Sequence, residues 1–147
     1  MGRARLLVLG SFPSIRSMEK GEYYGHQRNH FWPLLALVAG LPEAPSTYDA
    51  RSALAASLGL LIWDMVATCS RRTSSDNDLI IHQLNDIQGL LAANPSLIRI
   101  GLNGGLASVC RWQHAGKIAC TIFCTGSRAG ACLCWRKSHA ALWQPAS

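Results

Sequence analysis

The sequence predicts an α/β fold: a three-layer α/β/α sandwich around a central, mainly parallel four-stranded sheet. Four short apolar runs have the length and bulk of buried strands, and segments with apolar residues at helical spacing alternate with them. This alternation favours a parallel sheet that is covered on both faces. The chain has 147 residues, of which 49% are hydrophobic and 15% charged, so we expect a single domain over residues 1–147.

In the first half of the chain the predicted order is strand, helix, helix, strand. The first strand, Arg5–Leu9, contains four consecutive apolar residues and stops at Gly10. The first helix, Asn29–Ala39, repeats apolar residues at helical spacing. Ser46 is predicted to cap a second helix that runs to residue 57. The second strand, Leu60–Met65, is again apolar.

The second half begins with a polar segment, residues 71–78, which is predicted as a loop. Asp86 opens a helix to about Ala93, and a proline follows it. Leu97–Leu102 is the third strand, and Gly104–His114 is the next helix. Lys117–Phe123 is the fourth strand, and a last helix follows a glycine-rich loop. The ends of the strands are expected to converge at one edge of the sheet.

The charge distribution points to a polyanionic partner. The net charge is +6, with 14 Lys and Arg against 8 Asp and Glu. Residues 99–147 hold six Lys and Arg and no acidic residue. A basic half of a small domain suits nucleic acid, since arginine contacts phosphate well; simple solubility is the alternative.

No apolar run approaches the ~18 residues that span a bilayer, and the basic N-terminus precedes too short an apolar run for a secretory signal. We therefore expect a cytoplasmic protein without a membrane partner. Six cysteines are present, and in the cytoplasm reduced thiols are expected. Their spacing matches neither zinc pairs nor ferredoxin motifs, so the sequence predicts no metal and no cofactor.

The most informative segment is residues 10–32, which read GSFPSIRSMEKGEYYGHQRNHFW. A buried strand that ends in a glycine turn presents backbone N–H groups at the carboxyl edge of an open α/β sheet, where ligands bind. Residues 23–32 then interleave aromatic rings with polar side chains. Such a combination suits a ligand with a π-face and hydrogen-bonding edges, and a nucleobase is such a ligand.

The motifs G-S-F-P-S at 10–14 and Y-Y-G-H-Q-R-N-H-F-W at 23–32 resemble the hypoxanthine-DNA (deoxyinosine) glycosylase branch of the uracil-DNA glycosylase superfamily, close to the mismatch-specific uracil-DNA glycosylases. The similarity continues through G-L-L-I-W-D-M-V-A-T-C at 59–69 to L-N-G at 102–104. The resemblance implies a monofunctional DNA glycosylase that starts base excision repair by removing hypoxanthine or uracil. It implies DNA containing deaminated bases as the partner, and we expect a monomer.

The resemblance implies Asn29 as the catalytic residue, because the Asn of the H-x-x-N-x-F-W segment is implicated in catalysis in this branch. Hydrolysis of an N-glycosidic bond needs a flipped nucleotide, a water near the anomeric carbon and donors to the departing base. An amide can orient such a water without carrying a full charge. The alternative is that Asn29 only caps the helix that follows it.

The predicted substrate-binding residues belong to the two motifs and to the end of the second strand. They are Gly10, Ser11, Phe12, Pro13, Tyr24, Gly25, His26, Phe31 and Asp64.

Several of these residues have alternative roles. Phe12 and Phe31 stack on the flipped base or belong to the core. His26, on the wall formed with Tyr24 and Gly25, donates to the substrate or is structural. Asp64 lies where some superfamily members read the base edge; as alternatives it is a cap, or an ion-pair partner of Arg71 or Arg72.

After the last predicted strand the chain departs from the family. The DNA-gripping loop there resembles P-S-T-S-P-A-[HN]-A, whereas residues 124–131 read C-T-G-S-R-A-G-A. We expect Ser127 and Arg128 to bind DNA, Arg128 through a phosphate, although the added glycines loosen the loop. A nucleic-acid-binding domain with weak or lost catalysis is therefore an alternative function. A nucleotide-processing hydrolase is a further alternative, but G-x-x-x-x-G-K-[ST] is absent from the sequence.

Overall fold

The computed structural model describes residues 4–73, 75–104 and 119–123. In chain order its helices and strands are β1 (Leu6–Gly10), α1 (Ile15–Lys20), α2 (Phe31–Val38), α3 (Tyr48–Ser57), β2 (Leu60–Asp64), β3 (Val66–Ser70), β4 (Ile80–Leu84), α4 (Ile87–Ala93), β5 (Arg99–Asn103) and β6 (Ala119–Phe123).

The main sheet is parallel, with its strands in the order β2-β1-β5-β6. The register of β1 against β2 runs from Leu6 opposite Leu60 to Gly10 opposite Asp64. Because β1 lies inside the sheet, four of its five residues are buried, which explains the continuous apolar run. The prediction of an α/β fold with a parallel sheet is confirmed.

Apolar side chains form two buried clusters around this sheet. The first contains Leu7 and Leu9 of β1 together with Ile87 and Leu91 of α4. The second is built on α2 and α3, and its members include Trp32, Leu35 and Ala55. Successive β2 side chains alternate between the clusters: Leu61 packs on the first, and Leu60 and Ile62 on the second.

The helix starts differ from the sequence prediction by one or two residues, and α1 was not predicted. The Ser14 hydroxyl caps α1 by accepting from the Ser17 N–H at 3.1 Å. Thr47, rather than Ser46, caps α3 through a bond from the Ala50 N–H at 3.3 Å. The Asp86 cap of α4 is as predicted. The helix predicted from Asn29 begins at Phe31.

A second, antiparallel pair of strands, β3 and β4, was missed. We call residues 66–84 the ribbon. All five β4 residues are exposed, so no buried stripe marks this strand in the sequence. The ribbon starts at the end of β2, where the Met65 and Val66 N–H groups donate to the carbonyl oxygens of Gly10 and Ser11 at 2.9 and 3.0 Å. The segment predicted as loop, 71–78, connects its two strands.

The helix predicted at 104–114, beyond Gly104, the divergent loop with Ser127 and Arg128, and the closing helix lie outside the described residues. Of the helices within the described ranges, none has the length and apolar character needed to cross a membrane.

Candidate active site at the carboxyl edge of the sheet

The two ends of β1 and β2 meet directly, as the strand order requires. Gly10 lies opposite Asp64 in the register. A Cβ atom on Gly10 would lie 3.0 Å from Asp64 Oδ1 and 3.6 Å from the Tyr24 hydroxyl. The missing side chain therefore allows a carboxyl group and a phenol to approach one point of the backbone. This brings three predicted site residues, from two motifs and one strand end, into one place.

The segment that carries Tyr24 is fixed by hydrogen bonds to three helices. The Gly25 N–H donates to the buried Ser17 hydroxyl of α1 at 3.1 Å. The indole N–H of Trp32, in α2, donates to the Tyr23 carbonyl at 2.9 Å. The Tyr23 N–H donates to the hydroxyl of Tyr48, in α3, at 3.2 Å. The aromatic stretch between α1 and α2 is thus held in one conformation although it is neither helix nor strand.

Tyr24 is the central aromatic residue of the site. Its backbone is in the left-handed region, with φ 54°. This conformation is uncommon for a bulky residue, and residues that adopt it cluster at functional sites. Its ring stacks on Phe31 with centroids 4.0 Å apart and an interplanar angle of 26°. Its hydroxyl accepts from Asn103 Nδ2 at 2.9 Å. Tyr24 therefore joins the second motif to the end of β5.

The bond between Asn103 and Tyr24 was missed from the sequence. The strand order contains the information that would have found it. Asn103 ends β5, which pairs with β1 through Leu9 opposite Leu102. It also lies opposite Phe123, the last residue of β6. A polar side chain that ends the strand beside β1 belongs to the same edge as Gly10.

Asp64 is buried, with 9% of the residue exposed. Burial raises its pKa from 3.8 to about 6, and a hydrogen bond from the Tyr23 hydroxyl acts in the opposite direction. Burial and the neighbouring Asp64 raise the pKa of the Tyr23 phenol, and burial raises that of Tyr24 to about 12. Tyr23 was missed as a partner of Asp64. Among the described residues the salt bridge found joins Arg16 to Glu19, so Asp64 has no arginine partner there.

The side chain of Asn29 is hydrogen-bonded to the first residue of α2, Phe31, which stacks on Tyr24. Its Oδ1 accepts from the Phe31 N–H at 2.8 Å. Asn29 is not the N-cap of α2, which is His30, but its side chain satisfies the first N–H of the helix. An amide oxygen has two lone pairs, so this bond fixes the side chain and leaves acceptor capacity on Oδ1. Within the described ranges no partner of Asn29 Nδ2 is found.

His26 lies at the surface beside this site. Its Nδ1 accepts from the Arg28 N–H at 3.1 Å, which places the proton of the neutral ring on Nε2. Its carbonyl accepts from the Asn29 N–H at 2.9 Å. His26 thus helps to place Asn29, and Nε2–H is a donor.

The remaining residues of the first motif turn toward the ribbon. Ser11 is buried. The Phe12 ring packs on the first apolar cluster, and Arg71 Cζ lies 5.1 Å above the ring centroid. The Pro13 carbonyl accepts from Arg71 Nη2. One ring face of Phe12 is thus covered by Arg71, a residue that sequence reasoning considered only as a partner of Asp64.

The close approach at Gly10 gives a testable prediction. In Gly10→Ala we expect kcat/KM for base release to fall about tenfold, because the new methyl group displaces the Asp64 carboxyl by a few tenths of an ångström. The melting temperature should change little, since the φ angle at this position suits alanine. Single-turnover kinetics and thermal unfolding measure the two quantities. Wild-type kinetics in the variant would contradict the placement of the site at Gly10.

The described residues contain no group of three or more His, Cys, Asp or Glu that would hold a metal ion. Cys69 is a free thiol. The side chains of the other five cysteines lie outside the described residues, so the absence of a metal remains a prediction.

Comparison with known proteins finds similar DNA glycosylases. A hypoxanthine DNA glycosylase of Methanosarcina acetivorans is 32% identical over 99 residues, which are 67% of this chain and 63% of that protein. A hypoxanthine DNA glycosylase of Methanosarcina barkeri is 29% identical over 99 residues, with the same coverage. Over this shared part, the chain is similar to the hypoxanthine-DNA glycosylase branch of the uracil-DNA glycosylase superfamily.

The fold is similar as well. A solution NMR structure from Methanosarcina acetivorans, described as a candidate uracil DNA glycosylase, has a TM-score of 0.64 and 31% identity. The match covers 72% of this chain and 66% of that one. No protein-family model matches the chain. The aligned part spans less than two thirds of the length of the curated glycosylases.

For the residues implied by the glycosylase resemblance, the structure gives a clear grouping. Gly10, Tyr24, Phe31 and Asp64 lie together, and Asn29 is bonded to the backbone of Phe31. Ser11, Phe12 and Pro13 continue from Gly10 toward the ribbon. Gly25 is buried beside α1, and His26 is exposed. Ser127 and Arg128 are outside the described residues.

Proposed function

We propose that this chain is a monofunctional DNA glycosylase that hydrolyses the N-glycosidic bond of hypoxanthine or uracil in DNA. We further propose that it forms one domain, a three-layer α/β/α sandwich around the four-stranded sheet. The two apolar clusters, which include residues of helices α2, α3 and α4, support this layering.

One observation carries the proposed function: two sequence motifs and three strand ends meet at a single point. Gly10, Asp64 and Asn103 end adjacent parallel strands, and Tyr24 reaches across to them. The Tyr24–Phe31 stack adds an aromatic surface to this polar edge. A flipped base needs such a combination, with a ring on which to stack and polar groups for its edge.

The chemistry of deamination suggests what the polar groups recognise. Hypoxanthine and uracil both carry a ring N–H next to a carbonyl, where adenine and cytosine carry a ring nitrogen acceptor next to an amino group. An ionised Asp64 accepts from that ring N–H, and a backbone N–H group of the turn that follows Gly10 donates to the carbonyl. Asp64 thereby favours the deaminated base, since adenine would present a lone pair to the carboxylate.

Asn29 orients the attacking water in this proposal. Its Oδ1, held by the Phe31 N–H, accepts from the water and directs it at the anomeric carbon. The bond from sugar to base breaks as the carbon gains oxocarbenium character, and the base leaves with the bonding electron pair. Donors at the strand edge stabilise the negative charge on the departing base. The water oxygen stays on the sugar, and its proton passes to solvent.

The second candidate function is a nucleic-acid-binding domain of the same fold with weak or lost catalysis. The altered sequence at 124–131 favours it, because the family's DNA-gripping loop lacks both prolines in this chain.

A base-release assay separates the two functions. The chain is incubated with matched duplexes that carry hypoxanthine, uracil, xanthine or no lesion, and free base is measured by chromatography. The glycosylase proposal predicts stoichiometric release from the hypoxanthine or uracil duplex and none from the undamaged control. Binding of a lesion duplex without release of base would favour the second function.

A further inference from the structure

Arg71 connects the ribbon to the first motif. It follows directly after β3, and its Nη2 donates to the carbonyl of Pro13, 58 residues away in the sequence. Its guanidinium lies over the Phe12 ring, with Cζ 5.1 Å from the centroid. A cation over an aromatic face and a charged donor on a carbonyl both restrict the groups they contact.

The remaining donors of Arg71 are poorly satisfied. Nε and Nη1 are buried from solvent and have no hydrogen-bond partner among the described residues. No carboxylate in those ranges forms a salt bridge with the guanidinium. A buried charge without a counter-ion and with unmade hydrogen bonds lowers stability, so a packed apolar side chain would serve the fold at least as well.

We propose that Arg71 is a positioning residue of the substrate site, which holds the Phe12 ring and the Pro13 carbonyl in the orientation that base binding requires. The inference rests on the proposed function. It accounts for an arginine whose Nε and Nη1 have no partner among the described residues, because unsatisfied groups of this kind cluster at functional sites.

The position of the contact supports this role. The Ser11 carbonyl is held by the Val66 N–H at 3.0 Å, and Asn85 Nδ2 braces the start of the ribbon by donating to the Asp64 carbonyl at 2.9 Å. Beyond Ser11, Arg71 supplies the ribbon's contacts to Phe12 and Pro13. The ribbon therefore holds the turn from Ser11 to Pro13.

The test compares Arg71→Met with Arg72→Met. Methionine keeps a long, flexible side chain but removes the charge and the donors. Arg72 is the exposed neighbour, so its variant controls for the change in net charge. For Arg71→Met we expect kcat/KM for base release to fall about tenfold or more, with a melting temperature equal to or above that of the wild type. Arg72→Met should match the wild type in both.

A lower melting temperature with full activity per folded molecule would show a structural role only and overturn the inference, as would unchanged kcat/KM. The salt dependence of DNA binding gives a further test. If the slope of log K against log salt falls in magnitude by about one in Arg71→Met and not in Arg72→Met, Arg71 contacts a phosphate directly, and the inference is overturned. If Arg71→Met does not fold, Arg71→Lys decides: reduced kcat/KM at wild-type melting temperature supports the inference, and wild-type kcat/KM overturns it.

Failure of the proposed function gives a different pattern. If the wild type releases no base from any lesion duplex, the proposed function fails. The variants are then compared by their equilibrium affinity for the hypoxanthine duplex instead of by kcat/KM. Weaker binding by Arg71→Met with an unchanged salt slope supports positioning, and equal affinity overturns it.

Discussion

Asn29→Ala is expected to lower the rate of base release by about 10²–10³, the usual effect of removing an oriented polar group from a site of this kind. The reason is that the amide held by the Phe31 N–H at 2.8 Å no longer orients water at the anomeric carbon. Single-turnover release of hypoxanthine from duplex DNA measures this rate. A rate within a few-fold of the wild type would remove Asn29 from the mechanism.

The Asn29 side chain also satisfies the first N–H of α2, so a second variant has to separate the two roles. Serine is a good cap, because its hydroxyl accepts from the backbone N–H groups at a helix start, but it lacks the reach and the shape of the amide. Asn29→Ser should therefore keep the wild-type melting temperature and lose as much activity as Asn29→Ala. Recovery of activity in Asn29→Ser would show that capping alone accounts for the residue.

Asp64→Asn is expected to lower kcat/KM for hypoxanthine by about 10² and to abolish a pH dependence centred near pH 6. Burial raises the pKa of the Asp64 carboxyl to about 6. In the proposed mechanism the ionised form accepts from the ring N–H, so wild-type activity rises as pH increases through 6. The variant loses the carboxylate acceptor for the ring N–H of the base, and an unpaired polar group in a buried site lowers kcat/KM strongly. An identical pH profile in the variant would show that Asp64 is not the residue that recognises the ring N–H of the base.

The same substitution should change stability in the opposite direction. The folded-state pKa lies above the unfolded value of 3.8, so the folded chain binds this proton more tightly. Its stabilising contribution is therefore fully present below about pH 4 and is lost as pH rises through 6. Asp64→Asn removes the ionised group and should raise the free energy of unfolding by up to about 2–3 kcal/mol at pH 8. The gain should shrink below pH 6, as denaturant unfolding at several pH values can measure.

The sequence predicted the buried strands well and the exposed ones poorly. Residues 6–9 and 60–64 sit in a parallel sheet, so a continuous apolar run identified both. The β4 strand is exposed along its whole length, and within the described part of the chain its pairing is with β3, which leaves no periodicity in its side chains. The strand is formed by backbone hydrogen bonds to β3, and the identity of its side chains matters little for these bonds.

For the site, residues at strand ends were predictable and contacts between distant segments were not. Gly10 and Asp64 were expected at one edge because both follow apolar runs, and they pair in the register. The contact between Tyr23 and Asp64 depends on the path of the aromatic stretch. The contacts of Arg71 with Phe12 and Pro13 depend on the path of the ribbon. Neither path follows from a local pattern.

The most direct test of the central claim is a single-turnover reaction of the 147-residue chain with a duplex that contains one hypoxanthine, in the presence of a chelator. The proposal predicts one equivalent of free hypoxanthine and one abasic site per duplex, with the strand intact until alkali is added, and no release by Asn29→Ala on the same timescale. Intact lesion duplex after binding, with no free base, would contradict the assignment as a glycosylase.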